Sequence, residues 1–141
     1  MSETFVHLRV HSEYSMVDGL VRVKPLVERV AELGMPAVGL TEQSNMCSLV
    51  RFYKAATAAG VKPVIGADLW VENTEEPDNP FRLTLLARNQ DGYLNLTEIV
   101  SRGYTEGQRF GLPIIQRQWL EQGREGLIAL SGGKMGDVGK A

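Results

Sequence analysis

The chain has 141 residues, of which 43% are hydrophobic and 23% charged, and its formal net charge is −2. Such a composition is ordinary for a globular protein, and the length suffices for one domain with a real core. The charge balance argues against a broad nucleic-acid surface, which would be strongly basic, and leaves open only a local basic patch. The single cysteine, Cys47, rules out a disulfide framework and a cysteine-built zinc site. No apolar run has the length of a signal or membrane segment, so the plain reading is a reducing, cytoplasmic setting with no membrane partner.

The first element expected is a strand over Phe5 to Ser12. Val6, Leu8 and Val10 alternate with His7, Arg9 and His11, the period-2 pattern of a half-buried strand. On such a strand the three polar side chains share one side, in steps of about 7 Å. Alternate imidazoles are a known way to hold a divalent metal when carboxylates arrive from elsewhere. Arg9 spoils the pattern, because a guanidinium stays protonated and has no lone pair to give. The strand is therefore either part of a metal site or the remains of one. Two histidines at a strand end can also be no more than satisfied polar groups.

A loop from Glu13 to Leu20 follows, in which Asp18-Gly19 reads as a turn before it reads as a ligand. Val23, Leu26, Val27, Val30 and Ala31 keep helical spacing, and Gly34 and Pro36 end that helix. Ala37 to Leu40 is a short buried strand that closes on Thr41-Glu42-Gln43-Ser44-Asn45. Ser44 or Asn45 is expected to cap a second helix carrying Leu49, Phe52, Tyr53 and Ala56 on one face. A third strand runs from Val61 to Val71 and contains Asp68. An acidic loop from Glu72 to Pro80 leads to a fourth strand, Phe81 to Ala87. Asp91 is the expected cap of a third helix bearing Tyr93, Leu96, Ile99, Val100 and Tyr104, weakened near its end by Gly103 and Gly107. A glycine- and proline-punctuated connection with Trp119 leads to a fifth buried strand, Leu127 to Leu130, and a glycine-rich tail. Tyr14, Phe52, Tyr53 and Trp70 read as core. The tail from Gly132 to Gly139 lacks the Ser/Thr and spacing of a phosphate-binding loop. The alternation of strands and helices predicts an α/β domain with a mainly parallel sheet and chemistry at the carboxyl ends of the strands.

Six blocks in order carry a resemblance: Phe5 through Gly19, Gly39 through Met46, Lys62 through Asp68, Leu83 through Asn89, Gly92 through Leu96, and Leu127 through Gly133. Together they resemble the N-terminal PHP (polymerase and histidinol phosphatase) domain of bacterial replicative DNA polymerase III alpha subunits. The fold this implies is a distorted (βα)7 PHP barrel, with residues 1–141 supplying a truncated first half and the polymerase domains absent. Active members of that family hold divalent metals that activate water against a phosphoester. Where the family has His-x-His this chain has Arg9 and His11, preceded by His7; where it has Asp-His, this chain has Glu42-Gln43. Asp68 stands for a glutamate, and Arg82 for a further histidine.

The resemblance thus implies a vestigial site of His7, Arg9, His11, Asp18, Glu42, Gln43, Asp68 and Arg82, with no catalytic residue in this segment. Arg9 and Arg82 oppose cation binding and are expected to pair with Glu42 and Asp68, guanidinium charge replacing metal charge. If a metal bound at all, zinc or manganese at His11, Glu42 and Asp68 is the arrangement expected. Magnesium belongs to polymerisation by the parent protein. The implied role is structural, with docking of the separate proofreading exonuclease subunit and other holoenzyme subunits, and DNA engaged through the parent. The alternative is an active metal-dependent phosphoesterase, a 3′–5′ exonuclease or a pyrophosphatase.

Overall fold

A computed structural model describes residues 4–141. Six strands, β1 (Ala37–Gln43), β2 (Lys62–Val71), β3 (Phe81–Ala87), β4 (Gln108–Arg109), β5 (Leu112–Ile115) and β6 (Leu127–Ser131), form one sheet. The helices are α1 (Val23–Glu32), α2 (Leu49–Ala58), α3 (Gln90–Thr105), α4 (Arg117–Gln122) and α5 (Asp137–Lys140). β2 is the centre of the sheet. β1 lies parallel along its first two thirds, β5 lies parallel beside its last two residues, and β3 runs antiparallel on its other edge. β6 in turn pairs antiparallel with β3. The α/β class holds, and the parallel β1–β2 and β2–β5 pairings follow the expectation, while the reversed β3 makes the sheet mixed.

The helices cover one face of the sheet, and the pleat explains the two core clusters. Val38 and Leu40 of β1 meet Val27 and Val30 of α1 and Phe52 and Ala56 of α2. Ala67, Leu69 and Val71 of β2 meet Leu96 and Ile99 of α3, Ile115 and Trp119. At about 25 cal/mol per Å² of apolar surface, burying each of the larger side chains stabilises by roughly 1.5–3 kcal/mol. Successive strand residues alternate faces. Asp68, Trp70, Arg82 and Thr84 therefore point away from the helices.

Several expected boundaries moved for identifiable reasons. The segment from Phe5 to His11 is not a regular strand. It lies against β1 through only two backbone bonds, Gly39 N to His7 O at 2.6 Å and Thr41 N to Val10 O at 2.9 Å. Two residues of β1 thus face three of the N-terminal segment, as in a bulge, and strict alternation of His7, Arg9 and His11 is lost. Gly39 makes the close approach possible, because a Cβ there would sit 2.7 Å from Leu8 O.

Neither Ser44 nor Asn45 caps α2. The N-cap is Ser48, whose hydroxyl is spent on Glu42, and Asn45 instead accepts a bond from Cys47 N in a local turn. The cap of α3 is Asn89, which accepts from Gly92 N, and not Asp91. The punctuated connection contains the small β4–β5 hairpin and α4. β6, expected to be buried, is half-exposed, with Ile128 46% accessible. Tyr53, expected in the core, is 55% exposed.

Candidate functional site

The site is built around Asp68, a fully buried carboxylate on the face of β2 away from the helices. One of its oxygens, Oδ2, accepts from Arg9 Nε at 2.7 Å and from His11 Nε2 at 2.5 Å. Arg82 Nη1 stands 3.7 Å from the same oxygen, an ionic contact without a hydrogen bond. The other oxygen, Oδ1, accepts from the Thr84 hydroxyl, which the antiparallel register sets directly opposite. Arg82 is held in place by lying over the Trp70 ring, 4.0 Å from its centroid.

His11 completes the arrangement. Its second nitrogen, Nδ1, is 2.8 Å from Asp18 Oδ1, so the ring is clasped between two carboxylates. The turn that brings Asp18 there needs Gly19, where a Cβ would overlap Ser12 O. The hydrogen bond to Asp68 raises the His11 pKa; burial opposes this, and Asp18 adds to the rise. Burial alone would raise the Asp68 pKa, yet the His11 and Thr84 bonds and the Arg9 charge hold it below the usual carboxylate range. Both shifts favour the charged forms, an imidazolium that donates from each ring nitrogen to a carboxylate.

Glu42 belongs to a different cluster. It is aligned with Ala67 and so faces the helices, while its neighbour Gln43 is aligned with Asp68. Buried at 1% exposure, Glu42 accepts from Ser12 N at 3.1 Å and from the hydroxyls of Ser12, Ser15 and Ser48. Four donors match the capacity of one carboxylate, so no acceptor is left over. The expected pairing of Arg9 and Arg82 with both Glu42 and Asp68 is thus corrected: both guanidinium groups go to Asp68.

Of the other expected residues, Arg9, His11, Asp18, Asp68 and Arg82 come together and Gln43 shares their face. His7 stands apart, exposed, with its ring edge-on to Phe5 at 4.7 Å. Thr84 and the three serines escaped the sequence reading, and Trp70, expected in the core, is half-buried beneath Arg82. Ser12 and Ser15 lie within the first quoted block and could have been noticed, but Thr84 becomes meaningful only through the antiparallel register.

Residues 7–141 match the model of the PHP domain family. The chain belongs to the PHP domain family. It is 60% identical over its full length to a DNA polymerase III subunit alpha from Pseudomonas aeruginosa and 53% identical to that of Escherichia coli K12. The Vibrio cholerae protein of the same name is 53% identical over 97% of the chain. In each case the chain spans 12% of the relative's length. Solved structures confirm the fold at low identity. A candidate metal-dependent phosphoesterase from Bifidobacterium adolescentis is 13% identical with a TM-score of 0.52, over 75% of this chain and 36% of that one. An amidohydrolase from Chromobacterium violaceum, with bound sulfate and no metal, is 18% identical with a TM-score of 0.51, over 71% and 36%.

A divalent cation at Asp68 would have to displace the protein groups already there. Both His11 nitrogens and both Asp68 oxygens are engaged by protein groups. Two guanidinium groups crowd the oxygen that a cation would need, and neither can ligate.

Proposed function

We propose that this chain is the PHP region of a DNA polymerase III alpha subunit in which the phosphoesterase centre has become a structural ion-pair cluster. The observation that carries the reading is the convergence of Arg9, His11 and Arg82 on one oxygen of Asp68. Fixed positive charge stands where a divalent cation would neutralise that carboxylate. High identity over the whole chain to polymerase III alpha subunits supports the assignment to the parent enzyme. On this reading the parent synthesises DNA in the cytoplasm with magnesium bound in domains elsewhere. The PHP region braces that body and offers part of the docking surface for the proofreading exonuclease subunit. Among the described residues no helix is long and apolar enough to cross a membrane.

The test uses the full-length protein, assayed for hydrolysis of p-nitrophenyl thymidine 5′-phosphate with zinc or manganese added and, separately, for primer extension with magnesium. The structural reading expects no hydrolysis above the background of a chelated sample and normal extension. Metal-dependent hydrolysis abolished by Asp68→Asn would establish the phosphoesterase reading instead.

A further inference from the structure

The helix-covered side of the sheet, opposite the charged cluster, carries a groove between α2 and α3. Its main hollow has a volume of about 410 Å³, inside the range of about 300–1,000 Å³ usual for small-ligand sites. Tyr53 of α2 and Tyr93 of α3 line it from opposite helices, and Pro63 and Ile65 of β2 line it from the sheet beneath. A second hollow of about 270 Å³ adjoins the first and shares Leu49 and Tyr93 with it. Tyr53 keeps 55% of its surface exposed, although helical spacing alone would put it in the core. The charge on the α2 side has one sign. From Gln43 to Ala67 the chain carries Arg51, Lys54 and Lys62 and no carboxylate side chain, in a protein of net charge −2. Among the described residues no carboxylate lines either hollow. Arg88 lines the main hollow and is exposed. Unlike Arg9, Arg29 and Arg82, it forms no ion pair among the described residues.

We propose that this groove binds nucleoside phosphates, with a base lying against the Tyr53 and Tyr93 rings and its phosphate taken by the Arg88 guanidinium. Aromatic side chains in a cationic groove hold unpaired bases because every base offers a π-face, whatever its identity. An uncommitted guanidinium fork takes a phosphate through two parallel hydrogen bonds. The adjoining hollow gives room for a neighbouring nucleotide on the far side of Tyr93. Such a patch is local, which is the only kind of nucleic-acid contact that the overall charge leaves open. The inference uses no residue of the PHP centre and stands whether or not that centre holds metal. Two sources share this chemistry: a free nucleotide, or successive nucleotides of a single strand.

Photolabelling of the full-length protein, in chelator and at low ionic strength, tests this and distinguishes the sources. The probes are 8-azidoadenosine 5′-monophosphate and, separately, a single-stranded oligodeoxynucleotide carrying 5-iodouracil. Mapping by mass spectrometry separates label in the groove from label elsewhere in the polypeptide. Saturable label at Tyr53 or Tyr93 is expected. Arg88→Ala and Tyr53→Ala should each raise the half-saturating concentration about tenfold, whereas Tyr53→Phe keeps the ring and the affinity. Both residues are exposed, so neither truncation removes core packing. Arg29→Ala on α1 leaves labelling unchanged. Groove label from the mononucleotide identifies a free nucleotide as the source; groove label from the oligonucleotide alone identifies a single strand. No groove label from either probe overturns the proposal, and so does label that Arg88→Ala and Tyr53→Ala leave unaltered. Saturable binding of polyglutamate that Arg88→Ala weakens, with no groove label from either probe, would make the groove a dock for acidic polypeptide and likewise overturns it.

Discussion

At the scale of single residues, Asp68 is the group that holds the charged cluster together. Removing its charge leaves Arg9, His11 and Arg82 gathered around a neutral atom. Breaking a buried ion pair on one side typically costs about 3–5 kcal/mol. Arg9 is half-exposed, so its own share is small after solvent screening. Asp68→Asn is therefore expected to destabilise by about 3 kcal/mol, and Arg9→Gln by less than about 1 kcal/mol, in urea unfolding. Equal effects from the two substitutions would contradict this ordering. The pH dependence has a definite sign. His11 has a raised folded-state pKa, so its contribution is complete below the free imidazole value of about 6.5 and fades as pH rises through the folded value. Asp68 has a lowered pKa, so its contribution is present above about 3.9 and fades as pH falls through the folded value. The stability difference between the wild type and His11→Gln should be largest between about pH 4 and 6.5 and shrink on the alkaline side. A difference that grows from pH 7 to 9 would show that His11 is held neutral.

At the scale of elements, Glu42 ties three pieces of chain together: the turn at Ser12 and Ser15, the end of β1, and the start of α2. Glu42→Ala strands three buried hydroxyls and a backbone amide, and each unsatisfied group costs about 1–3 kcal/mol. The amides of residues 12–15 are expected to exchange with solvent at least about tenfold faster in that variant; unchanged protection would mean the turn is held by other contacts. This scale also shows what the sequence could reveal. Helical spacing in α1, α2 and α3 and the apolar runs of β1 and β2 were legible because their burial repeats at a single period. The N-terminal segment was misread because a bulge leaves the apolar alternation intact while breaking the facing of the side chains. The β4–β5 hairpin was missed because two- and four-residue strands are too short to display any period. β6 was taken as buried because apolar residues alone do not say whether a neighbouring element covers them.

At the scale of the whole molecule, the sheet has two unlike faces, one packed under helices and one carrying the charged cluster. The cluster was half legible. Arg9, His11, Asp68 and Arg82 were singled out by the family resemblance, whereas the assignment of Glu42 to the opposite face needed the β1–β2 register. The outer edge of β6 and its 46%-exposed Ile128 form an apolar strand edge of the kind that invites pairing. Ile128→Lys is expected to raise the solubility of the isolated 141-residue chain without lowering its stability by more than about 0.5 kcal/mol. A loss of folded protein in that variant would place Ile128 in the core after all.

The central claim is that fixed guanidinium charge has replaced metal charge around Asp68. It is tested most directly by measuring zinc and manganese in the purified full-length protein, beside the triple variant Arg9→His, Gln43→His, Arg82→His. Less than about 0.1 equivalent of metal is expected in the wild type after dialysis against micromolar zinc, and at least one equivalent in the variant. Stoichiometric metal in the wild type, displaced by Asp68→Asn, would contradict it.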